Sequence, residues 1–280
     1  MEFVKEEGTK SDAECSSLIV PAISIGNVGQ LAVDLMISTT KAHKIGYLDD
    51  PSLLPCVGND AFGPLPLGDL ALPLEVYNLA SDGLTFVQQR SPVIKGMMVQ
   101  FAKNLADFAV AAGKKHVILL SSLDFQRWQK VDMSSGIQIH YVSSSNADGT
   151  DDDCEKLGWK KLEEYKPSQR RWAYLQTIAE GSSLEEDAPS EEIDEDEDYF
   201  ASLPFAALFS CFKARGLKVT CLLCYCSEGD NIADSINLAE AACKVLGLKR
   251  NNLQTGGDGE WSIPLSWKSV YGPPPDMSMF

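Results

Sequence analysis

Three runs of apolar residues constrain this chain more than anything else in it: Leu18–Ile23, His116–Leu120 and Lys218–Cys226. None alternates apolar with polar residues, so each reads as a strand covered on both faces. Segments of helical period accompany them. Val28, Leu31 and Leu35, with Ala32 and Met36, repeat at three- and four-residue steps up to about Thr40. Met98, Phe101, Leu105, Phe108 and Ala112 do the same before Gly113, as do Phe205, Leu208, Phe209 and Phe212. Ile232, Ile236, Ala239, Cys243 and Leu246 form a last such stripe. Strand alternating with amphipathic helix predicts an α/β protein with helices on both faces of a mostly parallel central sheet, a three-layer α/β/α sandwich. Lys44–Leu48 and Ile137–Val142 read as further strands. Leu74–Leu79 and Leu84–Gln89, joined through Asp82-Gly83, read as an inserted hairpin. Asp49–Pro73 holds five prolines and reads as an irregular surface loop.

The order weakens between Ser143 and Ser202, where only Trp159–Tyr165 and Trp172–Ile178 suggest short elements. Glu185–Asp198 carries ten acidic residues and no basic one, against a net charge of −16 for the whole chain. The rest is therefore only mildly acidic, and residues 182–200 read as a flexible, solvated insertion in one domain spanning 16–272. Residues 1–15 read as a disordered N-terminus and 273–280 as an extended tail. An acidic balance excludes a generic nucleic-acid surface, which needs clustered Lys and Arg. No apolar stretch approaches the ~20 residues that span a bilayer, so no membrane association is expected. Met1–Glu14 is neither a signal nor a transit sequence. Eight scattered cysteines in a chain this size imply reduced thiols and a cytoplasmic and nuclear location.

Several segments invite chemistry. Gly26, Asn27 and Gly29 sit between strand and helix, where backbone amides could cradle a phosphate. No Gly-Lys-Ser/Thr follows and no basic residue occurs before Lys41, so the glycines equally allow a tight turn or close approach of another chain. Ser121, Ser122, Asp124 and Arg127 follow a strand, at the end where open α/β sheets place ligands. Yet the sequence has no Gly-x-Ser-x-Gly elbow, and its histidines (43, 116 and 140) flank or lie inside predicted strands. Glu228 and Asp230 could act as an acid/base pair, but a helix cap before Ile232 explains the same residue types. Cys221, Cys224 and Cys226 lie on one predicted strand, which sends Cys221 to one face and the other two to the opposite face, so they cannot converge on one metal. No catalytic residue, metal or cofactor is expected. Trp261-Ser262-Ile263-Pro264-Leu265-Ser266-Trp267 is too aromatic for a frayed end. Prolines 273–275 then favour an extended chain that carries Met277, Met279, Phe280 and a terminal carboxylate outward, a form suited to capture in a partner's pocket.

Pro21-Ala22-Ile23-Ser24-Ile25-Gly26-Asn27-Val28-Gly29-Gln30-Leu31-Ala32-Val33-Asp34-Leu35 resembles the N-terminal motif of the proteasome assembly chaperone 2 family. Lys44-Ile45-Gly46-Tyr47, Glu75-Val76-Tyr77, Gln89-Arg90-Ser91, Leu120-Ser121-Ser122, Ser227-Glu228-Gly229-Asp230-Asn231-Ile232 and Trp261-Ser262-Ile263-Pro264 continue the resemblance in order. It implies a sandwich related to nucleoside phosphorylases and a non-enzymatic role. It further implies a heterodimer with proteasome assembly chaperone 1 that binds the outer face of the ring of proteasome α-type subunits. Family tails end in a hydrophobic residue, Tyr and any residue; here Ser278, Met279 and Phe280 stand in those places. The competing reading is a phosphorylase- or hydrolase-like enzyme acting through Ser121, Asp124, Arg127, Glu228 and Asp230. A scaffold that holds basic proteins on its acidic run is a third.

Overall fold

A computed structural model of the chain describes residues 1–8, 15–63, 70–127, 139–181, 195–248 and 261–269. The elements, in order, are β1 (Glu2–Lys5), β2 (Ser17–Pro21), α1 (Val28–Thr40), β3 (His43–Asp49), β4 (Gly58–Asn59), β5 (Leu70–Ala71), β6 (Leu74–Leu79) and β7 (Leu84–Gln89). They continue as α2 (Met98–Ala111), β8 (His116–Asp124), β9 (Ile139–Ser143), α3 (Asp152–Lys156), β10 (Lys160–Lys161) and α4 (Arg170–Glu180). The last are α5 (Glu195–Ser202), α6 (Pro204–Ala214), β11 (Lys218–Cys226) and α7 (Ile232–Val245).

Nine strands form one sheet in the order β1-β3-β6-β7-β2-β8-β11-β9-β10, and β4 and β5 pair separately. The middle of the sheet, β7-β2-β8-β11, is parallel throughout. Three of them, β2, β8 and β11, are the strands that read as uninterrupted apolar runs, and burial on both faces is the reason: β11 is buried at every residue but Lys218. On one flank β1, β3, β6 and β7 pair antiparallel; on the other, β9 runs antiparallel to β11. Strands from both sides of residues 182–194 join the same sheet.

Two apolar cores lie on the two faces. Helices α1 and α7 pack on each other and cover one core, built on Ile19, Val33, Phe86, Ile118, Leu222 and Leu238. Helices α2, α4, α5 and α6 cover the other, with Leu18, Phe101, Leu119, Trp172, Phe209 and Leu223. Each large side chain buried in this way contributes roughly 1.5–3 kcal/mol relative to exposure. Cys221 belongs to the second core, Cys224 and Cys226 to the first, so the pleat does divide the three thiols between faces.

Two expectations are corrected. The N-terminus is not disordered over all of 1–15: Glu2–Lys5 forms β1 on the edge of β3, and Phe3 packs on Phe108 with ring centroids 5.9 Å apart. The acidic insertion ends earlier than residue 200, because α5 starts at Glu195 and buries Phe200 and Ala201 in the core beneath α6. Residues 9–14, 182–194 and 270–280 lie outside the described residues, and so do Met277, Met279 and Phe280.

Candidate functional site

The carboxyl ends of the parallel strands carry most of the residues singled out in the sequence. After β2 the chain makes a single turn, Ser24–Asn27, in which Gly26 (φ +62°) and Asn27 (φ +52°) are both left-handed. The neighbouring strand end clamps this turn. Ser122 donates its backbone N–H to Ser24 Oγ at 3.0 Å, and its hydroxyl bonds Ser24 Oγ at 2.8 Å and the Ile25 carbonyl. From the third side comes Asn231, whose amide packs so close to Gly26 that a Cβ there would lie 2.2 Å from Asn231 Nδ2. A Cβ on Gly29 would lie 2.3 Å from the Leu120 carbonyl oxygen. The close approaches of both glycines are thus made by this chain, to an amide and to a carbonyl. Asn27 remains exposed at the apex.

Sheet topology locates the crevice where an α/β fold of this kind takes a ligand. The helix after β2 lies on one face and the helix after β7 on the other, so the strand order switches between β2 and β7. Here that crevice is bridged from within. Gln30 Nε2 donates to the Gln89 carbonyl at 2.7 Å, and Gln88 Nε2 donates to the Gln30 carbonyl at 2.8 Å. The Oε1 atoms of both Gln30 and Gln88 are buried acceptors without a partner among the described residues, the wrong polarity for a phosphate.

The cation beside it is already bound. Arg90 forks onto Asp34 at 3.0 and 3.2 Å and donates Nε–H to Glu75 at 2.8 Å. Tyr77 donates its hydroxyl to Glu75, and Lys44 lies 3.3 Å from the same carboxylate. Burial pushes the Asp34 carboxyl up despite Arg90, while the two carboxylates hold the guanidinium firmly charged. Sequence reasoning missed this cluster as a unit, although the quoted motifs contain all of its members. The available signal was Glu75, a charge between Leu74 and Val76 inside an apolar strand, which is tolerated only with a partner.

The residues that the sequence offered for catalysis lie apart from one another, most of them engaged in other contacts. Ser121 is buried on the face opposite Ser122, and Ser122 is held in the turn clamp. Asp124 accepts a hydrogen bond from the Gln126 N–H, and Arg127 lies over the Tyr199 ring at 4.6 Å from its centroid. Asp230 accepts from the Ile232 N–H, the capping role expected from sequence, and Glu228 is exposed. His116 bonds Thr220 Oγ1 at the opposite end of β8, six residues and about 20 Å from Ser122. His140 stacks edge-on against Tyr225, on the other face of the sheet from Ser122. No nucleophile, base and orienting acid come together among the described residues. Among them, too, no group of His, Cys, Asp and Glu has a metal-binding arrangement, and no helix is long and apolar enough to cross a membrane.

What the molecule does offer is apolar surface on its irregular segments. In the loop between β3 and β6, Leu54, Val57 (65% exposed) and Leu70 (61% exposed) face outward. Leu70 lies in the β4–β5 ribbon and Val57 directly precedes it; Lys44 Nζ ties the ribbon to the sheet through the Leu70 carbonyl. The C-terminal segment joins the same region: Ser266 N–H donates to the Ala61 carbonyl, and Ser262 bonds Thr39 and Ser38 of α1. Ile263 and Leu265 are exposed there as well.

The model of the PAC2 family matches residues 18–253. Proteasome assembly chaperone 2 of Nematostella vectensis is 35% identical over 227 residues, covering 79% of this chain and 85% of that one. The Homo sapiens protein of the same name is 29% identical, with 91% of each chain covered. Among solved structures, Pyrococcus furiosus PbaA, described as an archaeal homolog of proteasome-assembly chaperone, superposes with a TM-score of 0.61 at 18% identity, covering 89% of this chain and 82% of its own. Pyrococcus furiosus PbaB, described as an archaeal proteasome activator, gives 0.55 at 18% identity, over 89% of each chain.

Proposed function

The chain belongs to the PAC2 family, and from that premise we propose that it is a chaperone of proteasome assembly that works by binding alone. The observation that carries the reading is the exposed apolar surface of Leu54, Val57, Leu70, Ile263 and Leu265 on two segments tied together, beside a ligand crevice closed by the chain's own side chains. Such a surface on a polar rim is what a subunit interface needs.

The chain pairs with the related proteasome assembly chaperone 1 through this surface and through Asn27, exposed on the turn between Gly26 and Gly29. The heterodimer then binds the outer face of the α-subunit ring, with Met277, Met279 and Phe280 as the contact from the tail. It favours correct rings because it binds the intermediate more tightly than wrong assemblies. Its location is cytoplasmic and nuclear. Co-expression with the related chaperone, read by native mass measurement, tests this. The intact chain is expected to form a one-to-one complex, and replacing Leu54, Val57 and Leu70 together by Ser is expected to abolish it with the melting temperature of the free chain unchanged. A wild-type chain that stays monomeric beside the related chaperone overturns the reading.

A further inference from the structure

A second concavity lies at the opposite rim, where the parallel strands begin. A cavity of about 690 Å3 opens between β1, β3, β6, β7 and the C-terminal end of α2. One wall is apolar, made by Phe3, Ile45, Val76 and Phe108; Ser16, Asn78 and Thr85 add polar groups, and exposed Lys115 also lines it. Lys114, only 8% exposed, extends its ammonium among these residues.

The bonding of that ammonium is unusual. Lys114 Nζ donates to the Cys15 carbonyl and to Thr85 Oγ1, both at 2.6 Å. Thr85 passes its own hydroxyl proton on to Asn78 Oδ1 at 2.8 Å, so it meets Lys114 as an acceptor. Both acceptors are neutral, the third N–H is not assigned to either, and no carboxylate among the described residues forms an ion pair with Lys114. A buried ammonium without a counter-charge is costly, and a carboxylate brought to it removes most of that cost. Burial accordingly holds the Lys114 ammonium below the usual lysine range. The volume lies within the roughly 300–1,000 Å3 of small-molecule sites, and an apolar wall with a few placed polar groups and a buried cation is their usual chemistry.

We propose that this cavity binds a small amphipathic monocarboxylate, its carboxylate on Lys114 and its hydrocarbon body against Phe3, Ile45, Val76 and Phe108. The site is on the rim away from the crevice between β2 and β7, and it does not depend on the role in assembly. Octanoate is the probe and 1-octanol its uncharged control, each titrated calorimetrically into the full chain. Octanoate is expected to bind about tenfold or more tighter than 1-octanol, the difference made by a charge-assisted hydrogen bond. Lys114→Met is expected to erase that preference. Should this variant not fold, Ala112→Trp, at an exposed residue on the cavity mouth, is expected to weaken octanoate about tenfold with the melting temperature of the free protein unchanged. Equal binding of acid and alcohol, or undiminished binding in both variants, overturns the proposal. So does binding seen only after Asp12→Asn and Glu14→Gln, which would assign the anion to the chain's own acidic segment.

Discussion

Single residues here carry charges in places where water cannot help them, and their energetics follow from who stands beside them. Arg90 is the centre of one such group: without its fork, buried Asp34 would lose its cation and buried Glu75 would keep only Lys44 and the Tyr77 hydroxyl. His116 is a milder case, an imidazole whose ordinary pKa of 6.5 lies near neutrality. Burial and then the Lys218 cation hold it down to about 4, with Asp151 opposing them, while its ring bonds Thr220. The folded protein therefore binds this proton less readily than the unfolded chain does. The stability this represents is complete above pH 6.5 and is lost as the pH falls from 6.5 towards 4. Urea unfolding at pH 7 and pH 5 is expected to show wild type losing more stability over that interval than His116→Gln; parallel losses would remove His116 from the account. The Arg90 cluster was present in the sequence as separate motif residues. What the letters did not reveal was their convergence, because Asp34 comes from a helix and its partners from β3, β6 and the residue just past β7.

At the scale of elements, legibility tracked local period. The bounds of β11 were read from its apolar run to the residue, and those of α2 and α7 lie within a position or so of their stripes, because burial alone decides these segments. β1 and α5 escaped notice for the opposite reason. Glu2–Lys5 is half charged and becomes a strand only because β3 offers it an edge; the acidic start of α5 hides a Phe200–Ala201 face that matters only once α6 is in place. The turn between β2 and α1 shows how elements lock. Gly29, in the first turn of α1, lets that helix sit directly on the Leu120 carbonyl at the heart of β8. Gly29→Ala must push helix and sheet apart and is expected to cost about 1–3 kcal/mol in a chemical denaturation curve. A stability equal to that of wild type would mean that α1 does not seat as described.

The whole molecule is a sheet with two buried faces, and the surface left for partners is its loops and ends. That division argues that association and folding are separable, since both cores are built from the sheet and the helices on its faces. Deleting Met277–Phe280 is expected to leave the melting temperature unchanged and to weaken retention of the chain on immobilised proteasome α-subunit rings several-fold. Unaltered retention would place ring contact elsewhere on the molecule. The outermost strands have a consequence of their own. One end of the sheet is Lys160-Lys161, two residues long, and the other is the four-residue, half-charged β1. Short, lysine-bearing borders are poor templates for a foreign backbone. Borders of this kind leave the sheet closed to strand addition at both ends, so whatever this protein holds it must hold by side chains.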